Sequence, residues 1–210
     1  MSSRRLEASP EVKICGVTRV EDAVLAVELG ATLLGLNFWP RSPRYLETSR
    51  AREIADAVRG RVPLVGVFVD ASRAEVEAVD GAVGLDLLQF HGDEDPAFVA
   101  SFGRRAIRVF RLDGPPDPES FAPYPGVWGF LFDVRHPAYG GTGVPWDYAT
   151  LGSLGTERPY LVAGGIGPDT ARRALADSGA LGIDVCSGVE SAPGIKDRDR
   201  LERLFSEVFR

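Results

Sequence analysis

The chain has almost no lysine: Lys13 and Lys196 are the only two among its 24 basic residues, in a sequence of 210. Chemistry that runs through a lysine network therefore has few candidates. Cysteine is as scarce, with only Cys15 and Cys186. Two cysteines cannot build a disulfide framework, and free thiols suit a reducing cytoplasm. The only histidines are His91 and His136, and no Cys or His pair has zinc-like spacing, so no metal and no cofactor is expected. No apolar run approaches the roughly 18 residues that span a bilayer. The opening MSSRRLEASPEVK lacks the apolar core of a secretory signal. A formal net charge of −6 leaves no basic surplus, so neither nucleic acid nor a membrane is an expected partner.

What is present is an ordinary globular balance, 44% hydrophobic and 26% charged, which excludes a disordered or collagen-like chain. Residues 1–10 read as a loose polar leader and 11–210 as one domain. Eight near-continuous apolar runs begin at Val12, Ala31, Val62, Leu85, Ala106, Val127, Pro159 and Leu181. Such runs suit parallel strands covered on both faces. Between them lie helical stripes: Ala51, Ile54, Ala55 and Val58; Ala171, Ala174 and Leu175; Leu201, Leu204, Phe205 and Val208. Gly30 and Gly60 read as helix stops, and Thr48 or Ser49 as a helix cap. The Pro-rich segment after Leu112 predicts an irregular or short-helix crossover. Eight strand–helix units predict an α/β fold, a single-domain (β/α)8 TIM barrel. The rival is an open doubly wound sheet, whose Gly fingerprint after the first strand is missing.

In a parallel barrel, chemistry gathers at the carboxyl ends of the strands. That rule selects Cys15, Asn37, Asp70, Gln89, His91, Asp133, Gly164, Gly165, Asp184, Cys186 and Ser187. A free cysteine is most often a small buried hydrophobe. As a base it needs a nearby cation, and Lys13 lies two residues earlier on the same strand face. Asp133 follows the apolar run WGFLF, where a carboxylate is costly unless paired or functional. Nonpolar surroundings there would help it keep a proton to donate. Arg44 lies in the loop RSPRY, stiffened by Pro40 and Pro43, and its planar fork suits a carboxylate. Glycine clusters at 140–143, 163–170 and 186–190 read as tight turns or as phosphate cradles, with Gly141, Gly164, Gly165, Ser187 and Gly188 the candidates. The loops after strands seven and eight are a recurrent phosphate site in barrels.

Eight segments in order carry a resemblance: KICG, FWPRSPRYL, VGVFVD, QFHGDED, FD with GGTG, AGGI, DVCSGVE and PGIKD, between about Val12 and Asp197. Together they resemble the phosphoribosylanthranilate isomerase family of tryptophan biosynthesis. The resemblance implies a barrel without a cofactor and an Amadori rearrangement of a small phosphorylated substrate. It implies that Asp133 is the general acid at the furanose ring oxygen and Cys15 the general base at C2′. It puts Arg44 on the anthranilate carboxylate, with Gln89, His91 and Asp184 lining the pocket, and Phe38, Trp39 and Tyr45 shielding the aromatic ring. Arg41 is expected to be peripheral, and the state in solution is a monomer or homodimer. Other phosphosugar barrels remain open: an indole-glycerol-phosphate synthase, a histidine-pathway isomerase, or a barrel that only binds its phosphorylated ligand. Cys186 stands where relatives usually have Ser. In a closed barrel, strands one and eight are neighbours, so Cys186 is expected near Cys15.

Overall fold

A computed structural model describes residues 9–112, 114–134, 147–151, 154, 156 and 158–210. Eight parallel strands form a closed barrel in sequence order: β1 (Glu11–Cys15), β2 (Leu33–Asn37), β3 (Leu64–Phe68), β4 (Leu87–Phe90), β5 (Ala106–Leu112), β6 (Gly129–Val134), β7 (Tyr160–Ala163) and β8 (Gly182–Val185). Closure is made by β8 on β1, with Val12 opposite Ile183 and Ile14 opposite Val185. The open-sheet alternative is thereby excluded. All eight expected strands are present, most of them shorter than the apolar runs. The excess lies at both ends, in residues such as Ala31 and Val62 before a strand and Gly164 and Gly165 after one.

Among the described residues, six α-helices cover the outside: α1 (Val20–Leu29), α2 (Thr48–Val58), α3 (Arg73–Val83), α4 (Pro96–Ala100), α5 (Ala171–Ser178) and α6 (Arg198–Val208). The predicted stripe of α2 is buried at all four positions, Ala51, Ile54, Ala55 and Val58. Leu201, Leu204 and Phe205 are the buried residues of α6. Gly30 ends α1 at a left-handed φ of 110°. One expected cap is corrected: α2 already includes Thr48 and is preceded by Glu47, with no side-chain cap bond. The Pro-rich crossover after β5 holds a 3-10 turn at Pro118–Phe121. There an aromatic cluster does the covering that a helix does elsewhere. Phe110 stacks 5.8 Å from Phe132, Phe121 lies 5.2 Å from Phe130, and Tyr160 packs edge-on to Phe132 at 5.4 Å. Each such pair adds about 0.5–1.5 kcal/mol beyond its buried area.

The pleat divides each strand between two environments. Val12 and Ile14 of β1 face the helices with the main core, while Leu33, Val65, Leu87, Ile107, Val109, Leu131 and Leu161 plug the barrel interior. Above this apolar plug the inward positions turn polar, with Lys13, Gln89 and Asp184 all buried. A short antiparallel hairpin, β9 (Glu190–Ala192) with β10 (Ile195–Lys196), follows β8 and brings the second lysine back to the barrel.

Candidate active site

The polar upper interior opens into a cavity of about 560 Å³ at the carboxyl ends of the strands. Cys15, Asn37, Arg44, Gln89, His91, Asp133, Gly164, Gly165, Asp184, Cys186 and Ser187 all line it. The sequence had marked every one of these positions, though Asn37 and Cys186 had no assigned role. Gly141, with the rest of the 140–143 cluster and His136, lies outside the described residues.

On one wall stand the two thiols. Lys13 is fully buried, and its Nζ donates to Asp184 Oδ1 at 2.8 Å. Gly35 of the adjacent strand makes room, since a Cβ there would lie 2.8 Å from Cys15 Sγ and 3.0 Å from Lys13 Nζ. A hydrogen bond from Cys186 holds the Cys15 thiol well below its ordinary range; burial opposes this, and Lys13 and Lys196 reinforce it. The same contact, with burial, pushes Cys186 up. The contact thus favours the thiolate on Cys15 over one on Cys186. Burial works against the charge of Lys13, yet Asp184 and Cys15 hold its ammonium above the usual value. Burial, aided by the charge on Cys15, pushes Asp184 up to about 7 against the pull of Lys13.

Beneath the thiols lies an ion network that sequence reasoning missed. Glu190 accepts from Arg44 Nε at 2.9 Å and Nη2 at 2.6 Å, and from Lys196 Nζ at 2.9 Å. Lys196 Nζ also reaches the carbonyl oxygens of Cys15 and Cys186. The signal available was that both lysines of the chain sit in motif-bearing segments. Arg44 therefore lines the cavity as expected, but its fork is already paired. Among the described residues no hydrogen bond reaches its Nη1.

On the opposite wall, His91 Nε2 lies 3.3 Å from Asp133 Oδ2, and His91 Nδ1 lies 3.4 Å from Gln89 Nε2. The nonpolar surroundings expected for Asp133 are corrected: its side chain is 31% exposed and faces an imidazole. The apolar run before it faces partly outward, so it does not envelop the carboxylate. Among the described residues, Gln89 Oε1 is buried with no hydrogen-bond partner.

At the β7–β8 end, Gly164 and Gly165 have φ values of 93° and 65°, a left-handed backbone reserved for glycine. A Cβ at Gly165 would meet nothing within 4 Å, so its face is open. Among the described residues no acceptor takes the N–H of Gly165 or of Ser187, which opens the 3-10 turn Ser187–Val189. Two free donors beside a short helical turn suit an anion. Gly188 does not itself line the cavity, and a Cβ there would collide with the Ile166 carbonyl and lie 2.8 Å from Gly167 Cα. Phe38 likewise stacks on Phe68 at 5.5 Å, and neither it, Trp39 nor Tyr45 lines the cavity.

A thiol and a carboxyl group in one cavity, with two open backbone N–H groups between strands seven and eight, define a (β/α)8 barrel equipped for acid–base chemistry. Residues 12–207 match the family model described as N-(5'-phosphoribosyl)anthranilate (PRA) isomerase. An N-(5'-phosphoribosyl)anthranilate isomerase of Myxococcus xanthus is 45% identical over 196 residues, 90% of this chain and 91% of the relative. The phosphoribosyl anthranilate isomerase structure from Thermus thermophilus superposes with a TM-score of 0.85 at 39% identity, covering 95% of this chain and 98% of that one. A further structure of this enzyme, in complex with reduced 1-(o-carboxyphenylamino)-1-deoxyribulose 5-phosphate, has a TM-score of 0.84 at 29% identity over 95% and 98% of the two chains. The chain belongs to the N-(5'-phosphoribosyl)anthranilate isomerase family.

Proposed function

We propose that this chain converts N-(5'-phosphoribosyl)anthranilate to 1-(2-carboxyphenylamino)-1-deoxyribulose 5-phosphate, the isomerisation step of tryptophan biosynthesis, with Asp133 and Cys15 as its acid and base. Asp133 donates a proton to the furanose ring oxygen, the C1′–O bond breaks, and the aniline nitrogen's lone pair forms the C1′=N imine. Cys15 then removes the C2′ proton, and those electrons close the enol-amine, which tautomerises to the ketone. The product is an isomer, so no electron acceptor is consumed. Gly164, Gly165 and Ser187 hold the phosphate through backbone N–H groups, and Arg44 takes the anthranilate carboxylate. His91, backed by Gln89, orients Asp133. The observation that carries this reading is the placement of Cys15 and Asp133 in one cavity with the open donors of Gly165 and Ser187.

The chain works as a monomer or as a homodimer. Two free thiols fit a reducing cytoplasm as its place of work. The test is a fluorescence assay of purified protein with chelator present and no added cofactor. Loss of the substrate's fluorescence at a rate far above the uncatalysed one is expected; no acceleration refutes the reading.

A further inference from the structure

Cys186 exchanges no proton with the substrate in the proposed reaction, yet the fold places it against the base, to which it donates a hydrogen bond. Cys15 is the last residue of β1 and Cys186 the first beyond β8. Ile14 pairs with Val185 across the barrel seam, so the next residue of each strand stands side by side. Neighbouring strands lie roughly 4.8 Å apart, inside the Cα separation of about 4.4–6.8 Å that a disulfide accepts. Lys196 Nζ donates to the carbonyl oxygens of both residues, Cys186 at 3.3 Å, and so clamps the two strand ends together. Both side chains line the cavity, and both thiols are free. Cys186 Sγ has a second contact, 3.8 Å from Glu190 Oε1. A Cβ on Gly16 would lie 3.0 Å from Cys186 Sγ, so a glycine leaves that sulfur its space.

We propose that Cys15 and Cys186 are a reversible modification site, closing to an intramolecular disulfide when a hydroperoxide enters the cavity. The Cys15 thiolate attacks the peroxide; its sulfur is oxidised by two electrons to the sulfenic acid, the O–O bond breaks, and hydroxide or alkoxide leaves. The Cys186 sulfur then attacks the sulfenyl sulfur, the S–S bond forms, and the displaced hydroxide departs as water with the Cys186 proton. Capture by Cys186 stops Cys15 from proceeding to the sulfinic acid, which simple thiols do not reverse. The isomerase is silent while the bond is closed and returns when a thiol reduces it. This consequence rests on Cys15 being the base; the bond itself does not.

The test is hydrogen peroxide added in small molar excess to the full chain, followed by thiol titration in denaturant, intact mass, a non-reducing peptide map and the isomerase assay. The expected result is loss of both thiols, a mass decrease of about 2 Da, a linked Cys15–Cys186 peptide, and activity lost in step and restored by dithiothreitol. In Cys186→Ser the expected product is a dimedone-trappable sulfenic acid on Cys15 that passes to the sulfinic acid and is not rescued. A wild-type protein in which Cys15 oxidises while Cys186 stays titratable, or in which the link joins two chains, overturns the proposal. A linked peptide with activity intact supports the modification site and instead removes Cys15 from the role of base.

Discussion

Replacing Lys13 by Met tests how the buried charges sustain the thiolate. Lys13 is fully enclosed, 2.8 Å from Asp184, and Met nearly matches its volume. Removing one member of a buried ion pair costs roughly 3–5 kcal/mol. For a chain of this size that is a fall in Tm of roughly 6–20 °C. The loss should depend on pH. In the native protein Asp184 is pushed up to about 7. A carboxylate whose folded value exceeds its unfolded one, near 3.9, loses stability as pH rises from the lower value to the higher. In the native chain this decline ends near pH 7, because the group then ionises. Without Lys13 the folded value moves higher still, and the decline continues above pH 7 by up to about 1.4 kcal/mol per pH unit. The thiol responds too. Lys13 is one of the groups that hold Cys15 low, beside the Cys186 hydrogen bond and Lys196, so kcat/KM at pH 7 falls, by less than the roughly 30-fold a wholly unassisted thiol would show, and recovers toward pH 9. Circular-dichroism melting and steady-state kinetics between pH 5.5 and 9 measure both effects. Equal Tm losses at pH 7 and pH 9, together with an unmoved kcat/KM profile, would refute the reasoning.

Three further outcomes are expected. Arg44→Ala should raise KM by roughly 10- to 100-fold, the worth of a charge-assisted hydrogen bond, with a smaller effect on kcat; Arg44→Lys should not restore KM, because one ammonium cannot serve Glu190 and a ligand as a fork does. Burial pushes Glu190 up, but Arg44 and Lys196 outweigh it and hold the group below the ordinary carboxylate range. Its contribution to stability is therefore present above about pH 4.3 and lost as pH falls through the lower folded value. Glu190→Gln should flatten the acid side of a plot of urea midpoint against pH, and an unchanged slope counts against the network. Gly188→Ala should cost about 1–3 kcal/mol by urea denaturation and raise KM by displacing the Gly164–Gly165 turn; a normal KM would show that the turn is not set by this contact.

The strands were legible because a strand buried on both faces is written as a continuous apolar run, and the helices because Ala51, Ile54, Ala55 and Val58 fall on one stripe. The ends were less so, since Gly164, Gly165 and Cys186 are small enough to pass as strand. The β9–β10 hairpin carries no apolar alternation and was invisible. At the site, position along the barrel found the residues, and closure placed Cys186 beside Cys15. The partnerships were another matter. Arg44 and Glu190 are 146 residues apart in sequence, and each alone reads as a solvated charge. Asp133 was misjudged because its neighbours in sequence are apolar while its neighbour in space is His91.

The central claim is that Cys15 and Asp133 divide the work of base and acid in one cavity, and turnover by Cys15→Ser and Asp133→Asn tests it most directly. Each is expected to lower kcat by roughly 10²–10⁴ while melting within a few degrees of the native chain. Near-native kcat in both variants would contradict the account.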